Sequence, residues 1–201
     1  MKLLLNEIKD ELAKCNLSID YELINTTPFV CIHHIHDWDH GYDGHTGFQG
    51  TRREFYKDMG EISAFLFDYI NFYAISYFIV APFHKNRQFD VVDKDCYIYK
   101  EIRNYLRTYK IRNDSQSGVK LPVRDNQNVI EMVLEGAFVG VSALSILFPE
   151  RKILLSPHHH LNISFYIQEF DKEQKSIKEL LKGHSNLRYY ERRKGFGFNS
   201  I

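Results

Sequence analysis

The sequence predicts an α+β fold in which helices pack on an antiparallel or mixed sheet. Helical and strand patterns follow one another without the regular alternation that is typical of doubly wound folds. In the carboxyl-terminal part, three short apolar segments separated by turn sequences predict a β-meander, and a helical pattern follows them. A chain of 201 residues is long enough to close one core, so we expect a single globular domain over 1–201.

The amino-terminal half is predicted to contain two helices and two strands. The first helix is expected over 2–15, with an apolar face formed by Leu4, Leu5, Ile8 and Leu12. A strand is expected over 29–35. The run Thr51-Arg52-Arg53-Glu54 has the spacing of a capping box, which predicts a long helix ending near Tyr73. The β-branched and aromatic residues after it predict the next strand over 75–80.

The carboxyl-terminal half is predicted to contain three helices and the meander. One helix begins near Asp95, and another begins at Asp125 or Asn126 and runs to about Glu135. The meander strands are expected at 141–148, 152–156 and 162–168, before a closing helix over 172–182. A short strand is also expected at 89–92, a loop at 113–128, and a basic, aromatic tail from Arg188.

Composition excludes several classes of protein. Lys plus Arg and Asp plus Glu are both 26, and a net charge of zero argues against nucleic acid as a partner. The longest apolar stretches are interrupted by acidic residues, so we expect no membrane-spanning helix. Three cysteines without a Cys-x-x-Cys pair predict neither a disulfide framework nor a zinc knuckle. We therefore expect a cytoplasmic protein.

A histidine-rich segment predicts a metal site. Five of the ten histidines lie between residues 33 and 45, with three aspartates among them. Imidazole and carboxylate are common ligands of divalent metals such as zinc, and on a strand alternate residues share a face. The predicted ligands are His34, His36, Asp39, His40 and His45. The alternative interpretation is an exposed polar loop that hydrogen-bonds to itself and to water.

Two further polar patterns leave their roles open. His158-His159-His160 lies in a predicted turn between meander strands, and the sequence does not decide whether this turn approaches the segment 33–45. A helical ridge of basic residues is interpreted as a solvated helix face or, alternatively, as a contact for phosphates. That ridge is formed by Lys100, Arg103, Arg107 and Lys110.

Function is predicted mainly from the motifs that the sequence lacks. It contains no P-loop, no Gly-x-Gly-x-x-Gly, no Gly-x-Ser-x-Gly and no His-Glu-x-x-His, and we assign no catalytic residue. We expect a protein-binding module, in the form of a bacterial immunity or antitoxin-type inhibitor that neutralises a partner protein such as a toxin by occupying it. Its predicted contacts are Trp38, Tyr42 and Phe48. The alternative is a metal-dependent hydrolase or nuclease that uses the segment 33–45.

Overall fold

A computed structural model describes residues 1–17, 27–36, 38, 50–83, 96–112 and 116–193, and the structural statements below concern these residues. The strands are β1 (Lys2–Leu3), β2 (Phe29–His34), β3 (Tyr77–Ala81), β4 (Gly118–Pro122), β5 (Ser145–Phe148), β6 (Ile153–His158), β7 (Asn162–Ile167) and β8 (Leu187–Arg192). The helices are α1 (Leu5–Lys14), α2 (Arg52–Phe72), α3 (Tyr97–Thr108), α4 (Gln127–Phe138) and α5 (Phe170–Leu181), and a short 3-10 helix, Pro149–Arg151, joins β5 to β6.

The eight strands form one antiparallel sheet in the order β1-β4-β3-β5-β6-β7-β2-β8. The predicted α+β class is therefore confirmed. Strands β5, β6 and β7 form the meander that precedes α5. The chain then continues into β8, which pairs along the whole of β2, whereas the sequence predicted a tail after the last helix. The meander is thus not the last part of the sheet.

The two faces of the sheet carry different cores. Residues of β3 alternate between them: Val80 belongs to the larger core and Ile79 to the smaller one. The larger core includes residues from α2, α3, α4 and α5, and the smaller core includes Ile8 and Leu12 of α1. Side chains two residues apart on a strand share a face. His34 therefore lies on the helix-covered face, in phase with Val30 and Ile32.

Helix α2 is the element of the fold on which the site depends most. The predicted capping box is present at its start: the Glu54 amide donates to Thr51 Oγ1 at 3.3 Å, and the Thr51 amide donates to Glu54 Oε2 at 2.7 Å. Its buried face includes Phe55, Ile62 and Tyr69. Neither α2, with 21 residues, nor any other helix among the described residues is both long and apolar enough to cross a bilayer.

A buried ion pair holds α2 and α5 to the sheet. Arg151, in the turn between β5 and β6, forms an ion pair with Glu173 of α5, which is 1% exposed. The Tyr69 hydroxyl of α2 donates to Glu173 Oε2 at 3.1 Å. The guanidinium of Arg151 also lies 3.7 Å from the ring centroid of Tyr73. These contacts connect three separate parts of the chain at the carboxyl end of α2.

The loop predicted over 113–128 is wrong in its middle part, where the structure has strand β4. Gly118 and Pro122 suggested a loop, but the segment between them pairs with both β1 and β3. Gly118 is required by close packing, because a Cβ there would lie 2.6 Å from the carbonyl oxygen of Val80. Pro122 stands at the last position of the strand. The strand predicted at 89–92 lies outside the described residues.

We predict opposite effects on stability for two glycine-to-alanine substitutions. Gly118→Ala lowers the free energy of unfolding by about 1–3 kcal/mol, because the new methyl group collides with the Val80 carbonyl oxygen and the Ala81 Cβ of β3. Gly60→Ala raises it by about 1 kcal/mol, because Gly60 is an exposed residue of α2 with no atom within 4 Å of the new methyl group. Urea unfolding measures both values. Equal effects of the two substitutions would contradict the register of β3 and β4.

Candidate metal centre

The candidate metal centre lies where the end of β2 meets the amino-terminal half of α2. His34 is the last residue of β2 and is 2% exposed, and His36 follows it by two residues. The centroids of the two imidazole rings are 4.9 Å apart. Asp58 of α2 is 3% exposed and faces both rings. The predicted pairing of His34 with His36 on one side of the chain therefore occurs, with a carboxylate from a separate element beside it.

The carboxylate of Asp58 accepts two hydrogen bonds on the same oxygen. His36 Nδ1–H donates to Asp58 Oδ2 at 2.7 Å, and Trp38 Nε1–H donates to the same atom at 2.8 Å. A buried carboxylate is costly unless donors or cations compensate its charge. These two donors supply part of that compensation. They also hold the side chains of His36 and Trp38 against α2.

The hydrogen bonds of His34 define the position of its proton. The His36 amide donates to His34 Nδ1 at 3.1 Å, so this nitrogen carries a lone pair. The other ring nitrogen, Nε2, lies 3.3 Å from Glu61 Oε2, which is an acceptor for the hydrogen of the neutral ring when Nδ1 carries the lone pair. Burial lowers the pKa of His34 below its ordinary value, although Asp58 and Glu61 act in the opposite direction. A neutral imidazole with a lone pair on Nδ1 is the form of histidine that binds metals.

Two lone-pair atoms converge at the centre of this cluster. His34 Nδ1 lies 3.3 Å from Asp58 Oδ2, and both atoms accept hydrogen bonds from other groups. Two ligands on a tetrahedral zinc ion, each bound at about 2.0–2.1 Å, are separated by roughly 3.3–3.4 Å. Ligand atoms of His34, His36 and Asp58 all lie within 4.8 Å of one another. Across the part of the chain that the structure describes, this is the one such group of three or more ligand residues.

The structure describes only some of the residues predicted from the sequence. It places the predicted ligands His34 and His36 together. The other predicted ligands, Asp39, His40 and His45, lie outside the described residues, and so do the predicted contacts Tyr42 and Phe48. For all five, the predicted roles stay predictions.

Trp38 is not the exposed aromatic side chain that the sequence predicted. Its side chain is fully buried, and its ring packs edge-on against Phe55 with centroids 5.4 Å apart. Its indole N–H is used by Asp58. The residue therefore belongs to the core beside the candidate centre. A role for Trp38 in binding a protein partner stays a prediction, but the exposed ring on which it was based is absent.

The triple-histidine turn does reach the end of β2. The Leu161 carbonyl accepts a hydrogen bond from the His34 amide at 3.3 Å. However, His158 and His33 are both paired with Asn162, which places these two histidines on the face of the sheet opposite His34. The backbone of this turn is thus close to the candidate centre, while the side chain of His158 lies on the opposite face of the sheet.

Sequence reasoning missed the two acidic residues that α2 contributes. Asp58 falls on the apolar face of the predicted helix, between Phe55 and Ile62, where a solvated carboxylate is not expected. Glu61 follows Asp58 by one helical turn. An acidic residue within an apolar stripe was the available signal, because such a residue needs a buried partner.

Comparisons with known proteins do not identify the site. No protein-family model matches the chain, and neither a curated protein nor a solved structure matches it. The function proposed below is argued from the residues, distances and burial described above.

We predict that Asp58 stabilises the fold even without a metal. In the presence of a chelator, Asp58→Ala lowers the free energy of unfolding by about 1–3 kcal/mol, because the buried Trp38 N–H loses its acceptor. Asp68→Ala is the matched control on the same helix. Asp68 also contacts a histidine, His184, but its side chain is 57% exposed, so the expected change is below about 0.5 kcal/mol. Similar losses for both variants in urea unfolding would contradict this role.

Proposed function

We propose that this protein binds one divalent cation, of the zinc type, through His34, His36 and Asp58, and that it is a metal-dependent hydrolase. The observation that carries the proposal is the 3.3 Å approach of His34 Nδ1 to Asp58 Oδ2, two acceptor atoms that face each other in a buried position. N–H donors of His36 and Trp38 offset part of the repulsion between these two atoms, and a positive charge close to both would offset more of it. A cation bound by these two atoms and by His36 supplies that charge.

A cation bound at His34 Nδ1 replaces the hydrogen bond from the His36 amide, because that nitrogen has a single lone pair. It also replaces the hydrogen bond between the His36 and Asp58 side chains. Its length of 2.7 Å is that of a charge-assisted hydrogen bond, with the proton on His36 Nδ1. Metal ligands must be deprotonated, so binding releases this proton and turns Nδ1 into a ligand atom. The separation between the two atoms then increases toward the ligand spacing of about 3.3–3.4 Å expected around tetrahedral zinc.

The number of ligands and their exposure favour hydrolysis over a purely structural role. Structural zinc sites are usually closed by four protein ligands, whereas catalytic sites have three and leave one position for water. Three ligands are described here, and the His36 side chain is 38% exposed, so the centre has a side that faces solvent. A divalent cation in such a site lowers the pKa of its water and supplies a nucleophile near neutral pH.

The protein-binding hypothesis stays a prediction. Two of its three named contacts lie outside the described residues, and Trp38 is buried. Large exposed apolar side chains do occur, at Ile35 and Phe72 for example, but single exposed residues of this kind are normal on protein surfaces. The cluster of His34, His36 and Asp58 is more specific, and we base the proposal on it.

We predict that tag-free protein binds one equivalent of zinc. His36→Gln and Asp58→Asn each weaken zinc binding by at least about tenfold, because each removes one of three ligands. His184→Gln is the matched control, since it removes a histidine that contacts an aspartate of the same helix away from the centre. Elemental analysis after desalting and competition with a chromophoric chelator measure binding. No zinc in the wild-type protein, or equal affinity in all variants, would overturn the proposal.

The hydrolytic part of the proposal has a separate test. Protein loaded with zinc, manganese or iron is assayed on phosphomonoesters, phosphodiesters, carboxylic esters and single-stranded oligonucleotides. We expect turnover of one class that a chelator removes, that the metal restores and that Asp58→Asn abolishes, while His184→Gln retains it. Stoichiometric metal with no turnover on any of these substrates would contradict the hydrolase assignment and leave a metal-binding protein.

A further inference from the structure

Asn186 connects two elements of the candidate centre. It immediately precedes β8, and its carbonyl accepts a hydrogen bond from the Ile35 amide at 2.9 Å, one residue beyond His34. Its side-chain Nδ2–H donates to Glu61 Oε1 at 3.1 Å. The backbone contact holds Asn186 beside the end of β2, and the side-chain contact extends from there to α2. Asn186 is therefore held against the strand and the helix together.

This arrangement directs one oxygen of Glu61 at His34. Because Oε1 of Glu61 is bound by Asn186, the other oxygen, Oε2, is the atom that faces His34 Nε2, at 3.3 Å. A neutral imidazole has a single N–H, so an acceptor at Nε2 favours the proton there. The His36 amide acts in the same direction from the other side, because it donates to Nδ1. Both contacts favour a lone pair on Nδ1.

We propose that Asn186 is a positioning residue that acts through Glu61: it keeps the His34 proton on Nε2 and so leaves Nδ1 as a ligand atom for the cation. Histidine ligands commonly donate their second ring N–H to a carboxylate, and this partner fixes both the tautomer and the ring orientation. The metal-binding part of this inference rests on the proposed function. The tautomer itself is a property of the metal-free protein.

The same turn offers a matched control. His184, two residues before Asn186, also contacts α2: its Nε2 lies 3.1 Å from Asp68 Oδ2, and its ring packs against Phe65 with centroids 5.5 Å apart. A substitution at His184 therefore disturbs the docking of the same turn on the same helix. It does not touch the path from Asn186 through Glu61 to His34. Comparing His184 with Asn186 variants therefore distinguishes a positioning effect on His34 from a general loss of packing of the turn on α2.

The first experiment measures the tautomer of His34 in metal-free protein. Long-range ¹H–¹⁵N correlation spectra distinguish the two imidazole nitrogens, and the signals are assigned by their loss in His34→Gln. We expect the Nε2–H tautomer in the wild type and in His184→Gln, and a mixture of tautomers in Asn186→Ala and Glu61→Ala. Glu61→Gln has a single oxygen, which accepts from Asn186 Nδ2–H, so its amide N–H faces His34 Nε2. We therefore expect this variant to shift the His34 proton toward Nδ1, which a general loss of structure would not explain. An Nδ1–H or doubly protonated His34 in the wild type, or no change in either alanine variant, would overturn the inference.

The second experiment measures zinc affinity for the same variants by competition with a chromophoric chelator. Loss of an outer partner of a ligand typically weakens metal binding by about 10- to 100-fold, and we expect this for Asn186→Ala but not for His184→Gln. Equal affinities in these two variants would overturn the role of Asn186 in metal binding. If the wild type binds no zinc, the proposed function fails, while the tautomer measurement still decides whether Asn186 positions His34.

Discussion

The buried carboxylate of Asp58 is the constraint on which the arrangement at the end of β2 depends. A carboxylate that is 3% exposed is stable only when donors or a cation compensate its charge. His36 and Trp38 both donate to one of its oxygens, and these bonds hold the two side chains against α2. Asp58 is thus both a buried residue and the partner of His36, whose side chain is 38% exposed.

The sheet topology explains why the other partners meet at this position. β2 lies between β7 and β8, so the β6–β7 turn and the segment before β8 both arrive at its end. The first contributes the Leu161 carbonyl to the His34 amide, and the second contributes Asn186 to Ile35 and Glu61. Each of these contacts joins two residues that are more than a hundred positions apart in the sequence. The outer contacts of the centre are therefore a product of long-range strand pairing, whereas its three candidate ligands all lie between residues 34 and 58.

What could be predicted from the sequence follows from local signals. The capping box at Thr51 located the start of α2, and the two-residue spacing of His34 and His36 predicted that they share one side of the chain. Non-local contacts could not be predicted in this way. Asp58 becomes a partner of the histidines only after α2 packs against β2, and β8 is a strand only because β2 offers it an edge. Likewise, Gly118 reads as a turn signal until the close approach of β3 is known.

The most direct test of the account is the position of a bound metal ion. Crystals of tag-free protein grown with one equivalent of zinc are measured on both sides of the zinc absorption edge, and the anomalous difference map locates the ion. The account predicts a single strong peak about 2.0–2.2 Å from His34 Nδ1, from His36 Nδ1 and from a carboxylate oxygen of Asp58. A peak at another group of residues, or no peak in a well-ordered cluster with His36 still hydrogen-bonded to Asp58, would contradict it.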